Sequence, residues 1–190
     1  MIASSSIHAL VFVINTLLGL FTAAVLLRFL MQQVRADFYN PLARVMMRLT
    51  NPLLLPLRRF IPPWHRIDLA SLVLILVLQL GNVWVVLFVS GSPYTYSWGL
   101  IAYWTVLKLL YILVNLYFFT ILLEVILSWV GQGRSPMDGL LRPLNAPLLR
   151  PVRRLLPPIE GMDFSPLLVT LVLVVIGNYF IPLAWPMVGW

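Results

Sequence analysis

Six carboxylates, two histidines and no cysteine are the whole stock from which this chain could build acid–base, nucleophilic or metal chemistry. Without cysteine there is no thiol nucleophile, disulfide framework, iron–sulfur site or Cys-based zinc site. His8 and His65 are not repeated elsewhere, and the topology argued below puts them on opposite faces of a membrane. They cannot serve as paired metal or haem ligands within one subunit. Glycine-rich phosphate loops and the HExxH, GxSxG and CxxC patterns do not occur. Nothing sets a nucleophile beside a base. The chain reads as non-enzymatic, with no metal and no cofactor.

Arginine supplies the remaining chemistry. Every basic residue except Lys108 is an arginine, and the net charge is +7. The stretch NPLLLPLRRFIPP begins at Asn51, and APLLRPVRRLLPP begins at Ala146. A planar guanidinium suits a phosphate or a carboxylate equally well. For Arg58, Arg59, Arg153 and Arg154 two readings stand: anchors that fix topology, or binding groups for a lipid phosphate or a partner's acidic surface. The positive charge lies between hydrophobic runs, so the default partner is an anionic lipid head group and not nucleic acid.

These arginines are positioned by hydrophobic elements. The chain is 61% hydrophobic and only 10% charged, against about 25% charged in soluble domains. It reads as an all-α integral membrane protein. A bilayer core of about 30 Å takes about 20 apolar helical residues. Four runs meet that requirement: Ile7 to Val34, Leu69 to Val89, a span within Trp98 to Val130, and Phe164 to about Trp185. The first has no basic leader and is read as a retained helix rather than a signal peptide. Arg35, Arg44, Arg48, Arg58, Arg59 and Arg66 lie between the first and second runs. Arg134, Arg142, Arg150, Arg153 and Arg154 lie between the third and fourth. The positive-inside rule places both arginine segments in the cytoplasm and both termini outside. Tyr94, Tyr96, Trp98, Trp104, Trp185 and Trp190 would crowd the outer interface, with Trp64 and Trp129 at the inner one.

The two arginine segments are copies. At an offset of 95, Pro52, Leu54, Pro56, Arg58, Arg59, Pro62, Pro63 and Asp68 meet Pro147, Leu149, Pro151, Arg153, Arg154, Pro157, Pro158 and Asp163. Upstream, at an offset of 96, LLRFLMQQV meets LLEVILSWV. Downstream, also at 96, Gly81–Asn82 meets Gly177–Asn178. The chain thus divides into repeats 1–95 and 96–190, each a helix, an amphipathic connection and a helix, both in the same orientation. Asn40 and Pro41 open a short amphipathic helix. Ser135 and Asp138 give its partner a capping pattern, while Gly139 and Pro143 weaken it. Proline interrupts helices, so Pro52 and Pro56, and likewise Pro147 and Pro151, predict compact rigid turns that hold the arginines at head-group height. Asp68 and Asp163 read as helix caps that can also pair with arginines of the same turn.

Inside the apolar runs, Arg28 and Glu124 fall at equivalent places. Two repeats related by a two-fold-like axis would let them form an ion pair near the cytoplasmic side; the other reading is that each reaches the interface alone. Lys108 lies 16 residues, roughly 24 Å, from Glu124 along one helix, and is read as reaching outward. Asn82 and Asn178 read as interhelical hydrogen-bonding groups or, more sharply, as a polar conduit.

FYNP (Phe38–Pro41), SWVGQGRSP (Ser128–Pro136), the two proline–arginine turns and DFSP (Asp163–Pro166) closely resemble the YggT family of bacterial integral membrane proteins. The resemblance covers about Ile7 to Pro182 and matches the two-copy form, although the first copy reads DLAS (Asp68–Ser71) where the second reads DFSP. It implies a multi-pass inner-membrane protein. Bacterial relatives are associated with osmotic stress tolerance and with cell division or envelope organisation. Plastid relatives are associated with haem attachment to cytochrome b6 and with nucleoid distribution. The resulting expectation is a scaffold or biogenesis factor whose arginine turns engage lipid head groups or partner membrane proteins. The rival is a small transporter or channel subunit in osmotic or ion balance.

Overall fold

The computed structural model describes residues 2–36, 40–64, 67–89, 96–130, 137–156 and 163–181, and the described residues are helical apart from short connections and one isolated bridge between Trp64 and Ile67. The helices are α1 (Ile2–Gln33), α2 (Pro41–Phe60), α3 (Leu69–Val89), α4 (Trp98–Val130), α5 (Asp138–Leu155) and α6 (Ser165–Val175). A five-residue π-helical turn, Ile176–Phe180, continues α6. Three segments are long and apolar enough to cross a membrane: Ala9–Gln33 of α1, α3 and α4. The fourth expected span is represented by a shorter apolar helix, Ser165–Phe180; the rest of it, with Trp185 and Trp190, lies outside the described residues. So do Tyr94, His65, Arg66, Arg134, Ser135, Pro157 and Pro158.

The bounds of α3 and α4 follow from composition. Both are apolar almost throughout, and Asp68 and Ser97 sit just ahead of their first turns. α1 ends in a Schellman motif: the amide of Ala36 bonds the carbonyl of Met31 at 3.0 Å, and that of Arg35 bonds Gln32 at 3.3 Å. Arg35 takes the left-handed conformation at φ 54° that glycine usually supplies. The chain then turns into α2, where the Asn40 side chain accepts from the Leu42 amide at 2.9 Å ahead of Pro41.

The proline-bracketed segments correct the expectation of rigid turns. Pro52 and Pro56 lie inside the 20-residue α2, and Pro143, Pro147 and Pro151 inside the 18-residue α5. The reason is their spacing. Four residues apart, prolines fall near one stripe of a helix, and each strips a hydrogen bond only from the carbonyl four residues before it. In α2 that stripe holds exposed Arg44, Arg48, Pro52 and Pro56; in α5, Pro147 and Pro151 are likewise exposed. Carbonyls freed on an outer face can bond solvent or head groups. The opposite face is packed: Ala43, Thr50 and Leu54 in α2, and Leu140, Leu144, Asn145 and Leu149 in α5.

Helix order and packing recur. α2 packs on α1 and α3 as α5 packs on α4 and α6, and α1 lies along α3 as α4 lies along α6. One cluster joins Val25, Leu54 and Leu74; another joins Ile121, Leu149 and Val169. These are the same three positions at the offsets of 96, 95 and 95. Between the halves the arrangement differs from a two-fold. α1 and α4 meet, and α3 packs against α4, but the reciprocal packing of α6 on α1 is absent among the described residues. α4 therefore makes most of the contact between the halves, and a cluster of Leu27, Met31 and Ala43 with Leu140, Leu141 and Leu144 of α5 makes the rest. Trp104, expected in the outer aromatic belt, is buried beside Val83, Leu87 and Ile101, with its ring 4.8 Å from that of Tyr96.

Candidate functional site

The last turns of α2 and α5 carry the arginine pairs, at helix ends whose exposed carbonyls favour positive charge. Their geometry separates the two members of each pair. Arg58 reaches across the connection to Asp68 in an ion pair that also hydrogen-bonds. Arg153 does the same with Asp163, Nε to Oδ2, at 2.8 Å. Arg59 and Arg154 are exposed, beside exposed Phe60 and Leu155. The first arginine fastens the end of its amphipathic helix to the start of the next helix, and the second faces outward.

The aspartates act at both ends of these clasps. Asp68 precedes α3, accepts from the Ser71 hydroxyl at 2.6 Å, and faces the Ser71 amide at 3.4 Å. Asp163 accepts from the Ser165 amide at 2.9 Å, one residue ahead of the position that caps α6. Burial alone would raise the Asp68 carboxyl, but the Arg58 and Ser71 hydrogen bonds and the Arg58 charge outweigh it and hold the group below its ordinary value. At Asp163, burial again pushes upward. There the Ser165 amide and Arg153 prevail, and the net shift is downward. Gln32 fits into the first clasp: turned with its nitrogen to Asp68, it donates at 3.2 Å and accepts from Arg58 at 2.9 Å.

Arg28 and Glu124 do not pair. Arg28, 4% exposed, donates to the Thr50 hydroxyl at 2.6 Å and to Asn51 Oδ1 at 2.8 Å. Glu124 accepts from Asn145 Nδ2 at 2.7 Å, and Asn145 accepts from the Thr120 hydroxyl at 2.8 Å. Arg153 stands 3.9 Å from the other Glu124 oxygen. Thr50 and Asn145 are equivalent positions, so each charge is held by the amphipathic helix of its own repeat. A guanidinium has only donors and finds oxygen; a carboxylate has only acceptors and finds nitrogen.

Lys108 also departs from expectation. It does not reach outward along α4; its Nζ donates to Asn15 Oδ1 of α1 at 2.8 Å and to Asn82 Oδ1 of α3. Gln79, one turn from Asn82 on α3, donates to the Thr22 hydroxyl of α1 at 2.8 Å. Asn82 Nδ2 and Gln79 Oε1 are buried without a partner. These groups tie α1, α3 and α4 together inside their apolar lengths. Asn178, the repeat partner of Asn82, is exposed, so the two do not meet. Asp138 opens α5 without a side-chain cap and lies 3.6 Å from Arg142.

Sequence reasoning missed Thr50, Asn145, Ser71 and the Asn15–Lys108–Asn82 group. A signal existed for the first two: polar residues at equivalent positions within otherwise apolar stretches, LTNPLL and LNAPLL. No cluster of metal-binding side chains occurs among the described residues. The arrangement holds Arg58 and Arg153 in the clasps and leaves Arg59 and Arg154 exposed.

Comparison with known proteins gives one consistent result. The profile of the CCB3/YggT family matches residues 7–89 and again residues 103–184. An Escherichia coli protein recorded as uncharacterised protein YggT is 39% identical, the alignment covering 94% of this chain and 98% of that one. A Pseudomonas aeruginosa protein, uncharacterised protein PA0392, is 41% identical over 87% of this chain and 84% of its own. A Haemophilus influenzae relative is 30% identical, with 90% of each chain covered. No solved structure matches.

Proposed function

The chain belongs to the CCB3/YggT family, and from that premise we propose a non-enzymatic scaffold or biogenesis factor of the bacterial inner membrane. It has four spans in two parallel repeats, 1–95 and 96–190. Both termini lie outside, and α2 and α5 lie along the cytoplasmic surface. Their exposed arginines engage anionic head groups or the acidic surfaces of partner membrane proteins. One observation carries the reading: the division of labour within each arginine pair. Arg58 and Arg153 are spent on Asp68 and Asp163, while Arg59 and Arg154 are exposed next to exposed apolar side chains, Phe60 at 83% and Leu155 at 82%. A cation beside an apolar group, on a helix with one packed face, matches an interfacial helix over anionic lipid.

The test is thermal unfolding of the full chain in nanodiscs of phosphatidylcholine with and without phosphatidylglycerol. The wild type gains stability from the anionic lipid. Arg59→Ala with Arg154→Ala removes most of that gain while leaving insertion intact. An undiminished gain in the double variant defeats the lipid half of the proposal.

A second reading, a small transporter or channel subunit, is favoured by the Asn15–Lys108–Asn82 group, because charged groups inside a span commonly mark pathways. Flux of ions or osmolytes into vesicles holding the purified chain, abolished by Lys108→Met, would establish it. The scaffold reading leads because Lys108 also has a structural task, holding α1 and α3 to α4.

A further inference from the structure

The contrast between Asn82 and Asn178 has a physical consequence. They are the same residue at the same place in two repeats. Asn82 is fully buried and takes up Lys108 from the first helix of the following repeat. Asn178, by contrast, is exposed. It lies 13 residues beyond the start of α6, roughly 20 Å along the helix. With α6 crossing the bilayer, as the four-span reading above requires, that depth falls within a hydrocarbon core of about 30 Å. An amide bare to lipid there is costly.

The surrounding face is apolar and regular. Leu167, Leu171 and Val174 are exposed at 64%, 58% and 37%. With Asn178 they stand at spacings of four, three and four, the spacing of a helix–helix seam. Asn178 sits in the middle of the π-helical turn Ile176–Phe180. That turn lies where the repeat offset changes from 95 to 96, so the single extra residue of the second repeat is taken up as a π-bulge beside the amide. Gly177 faces the other way, and a Cβ there would stand 3.3 Å from Val114 of α4.

We propose that this face is covered by α6 of a second copy of the chain, in a two-fold dimer whose axis runs along the membrane normal, with the two Asn178 amides bonded to each other. Copies inserted in the same orientation hold Asn178 at the same depth. A carboxamide carries both donors and an acceptor, so it complements itself across a two-fold. The alternative of α1 from a second copy, continuing the α3–α4 packing head to tail, offers no cation at the place of Lys108. The residue equivalent to Lys108 on α1 is Phe12, which is apolar and 62% exposed.

The absence of cysteine in the chain makes the test direct. Leu171→Cys is introduced into the full-length protein and oxidised in native membranes. Val77→Cys, on an exposed part of α3 (59%), is the control. Leu171→Cys forms a disulfide-linked dimer and Val77→Cys does not. Adding Asn178→Leu to Leu171→Cys lowers the linked fraction about tenfold, equivalent to about 1.4 kcal/mol and in the range of one interhelical amide bond in a bilayer. Adding Asn178→Gln, which keeps the amide, retains most of it and guards against a folding defect. Three results overturn the proposal: cross-linking no greater than at Val77→Cys, cross-linking indifferent to Asn178→Leu, or stronger linkage between Leu171→Cys and Phe12→Cys copies than between two Leu171→Cys copies.

Discussion

Arg28 and Glu124 occupy equivalent places in the two repeats, carry opposite charges, and do not touch: Arg28 is held by Thr50 and Glu124 by Asn145. The two holding residues are themselves equivalent. One position therefore keeps its partner helix through the duplication while the sign of its charge is inverted, and the partner changes from an acceptor to a donor to suit.

A double-mutant cycle follows from this. Arg28→Glu and Glu124→Arg each destabilise the protein in detergent, the first by setting a carboxylate against the oxygens of Thr50 and Asn51, the second by setting a guanidinium against Arg153. The combined swap shows no rescue. Its cost is the sum of the two within about 0.5 kcal/mol, as for sites without shared partners. Recovery in the double variant would place the two side chains in contact.

The aspartate clasps give a pH dependence with a definite sign. Asp68 and Asp163 are both held below their ordinary values in the folded protein. A depressed carboxyl contributes stability that is fully present above its unfolded value, about 3.9, and is lost as pH falls through the folded one. Thermal unfolding followed from pH 7 down to about pH 3 should hold level and then fall. Asp68→Asn with Asp163→Asn should lower the neutral plateau and flatten the acid limb. An acid limb of undiminished depth in that variant would assign the loss to other groups.

How much could be read from the sequence depends on whether local composition or packing decides. The limits of α3 and α4 were legible because long, mostly apolar runs are bounded on both sides by polar, glycine- and proline-bearing stretches. The Arg58–Asp68 and Arg153–Asp163 pairs were legible as possibilities because the duplication keeps both members at one spacing. Pro52 and Pro56 misled because proline normally ends a helix. The deciding fact is which face they occupy, and that is fixed by Thr50 and Leu54 packing on α1 and α3. Lys108 misled for the opposite reason. A lone cation in an apolar run favours the interface unless oxygen awaits it inside, and Asn15 and Asn82 lie far away in sequence.

The proline stripe is itself testable. In an exposed helix interior, proline costs about 3 kcal/mol relative to alanine. Pro52→Ala should therefore raise the thermal stability of the protein, and Pro52→Ala with Pro56→Ala should raise it further. Loss of stability in these variants would restore the rigid-turn reading.

Orientation is checked by reporter fusions. Fusions after Arg59 and after Arg154 should score as cytoplasmic, and fusions at Ser97 and at Trp190 as external. A cytoplasmic score at Trp190 would remove the fourth span and with it the parallel arrangement of the repeats.

The central claim is that the second arginine of each pair faces lipid while the first holds the fold. Native mass spectrometry of the protein released from phosphatidylglycerol-containing membranes reads this directly, as the number of anionic lipids retained per chain. Arg59→Ala with Arg154→Ala should lose retained phosphatidylglycerol with thermal stability in lipid-free detergent unchanged. Arg58→Ala with Arg153→Ala should lose stability first. Equal lipid retention in the wild type and the Arg59→Ala, Arg154→Ala variant would contradict the account.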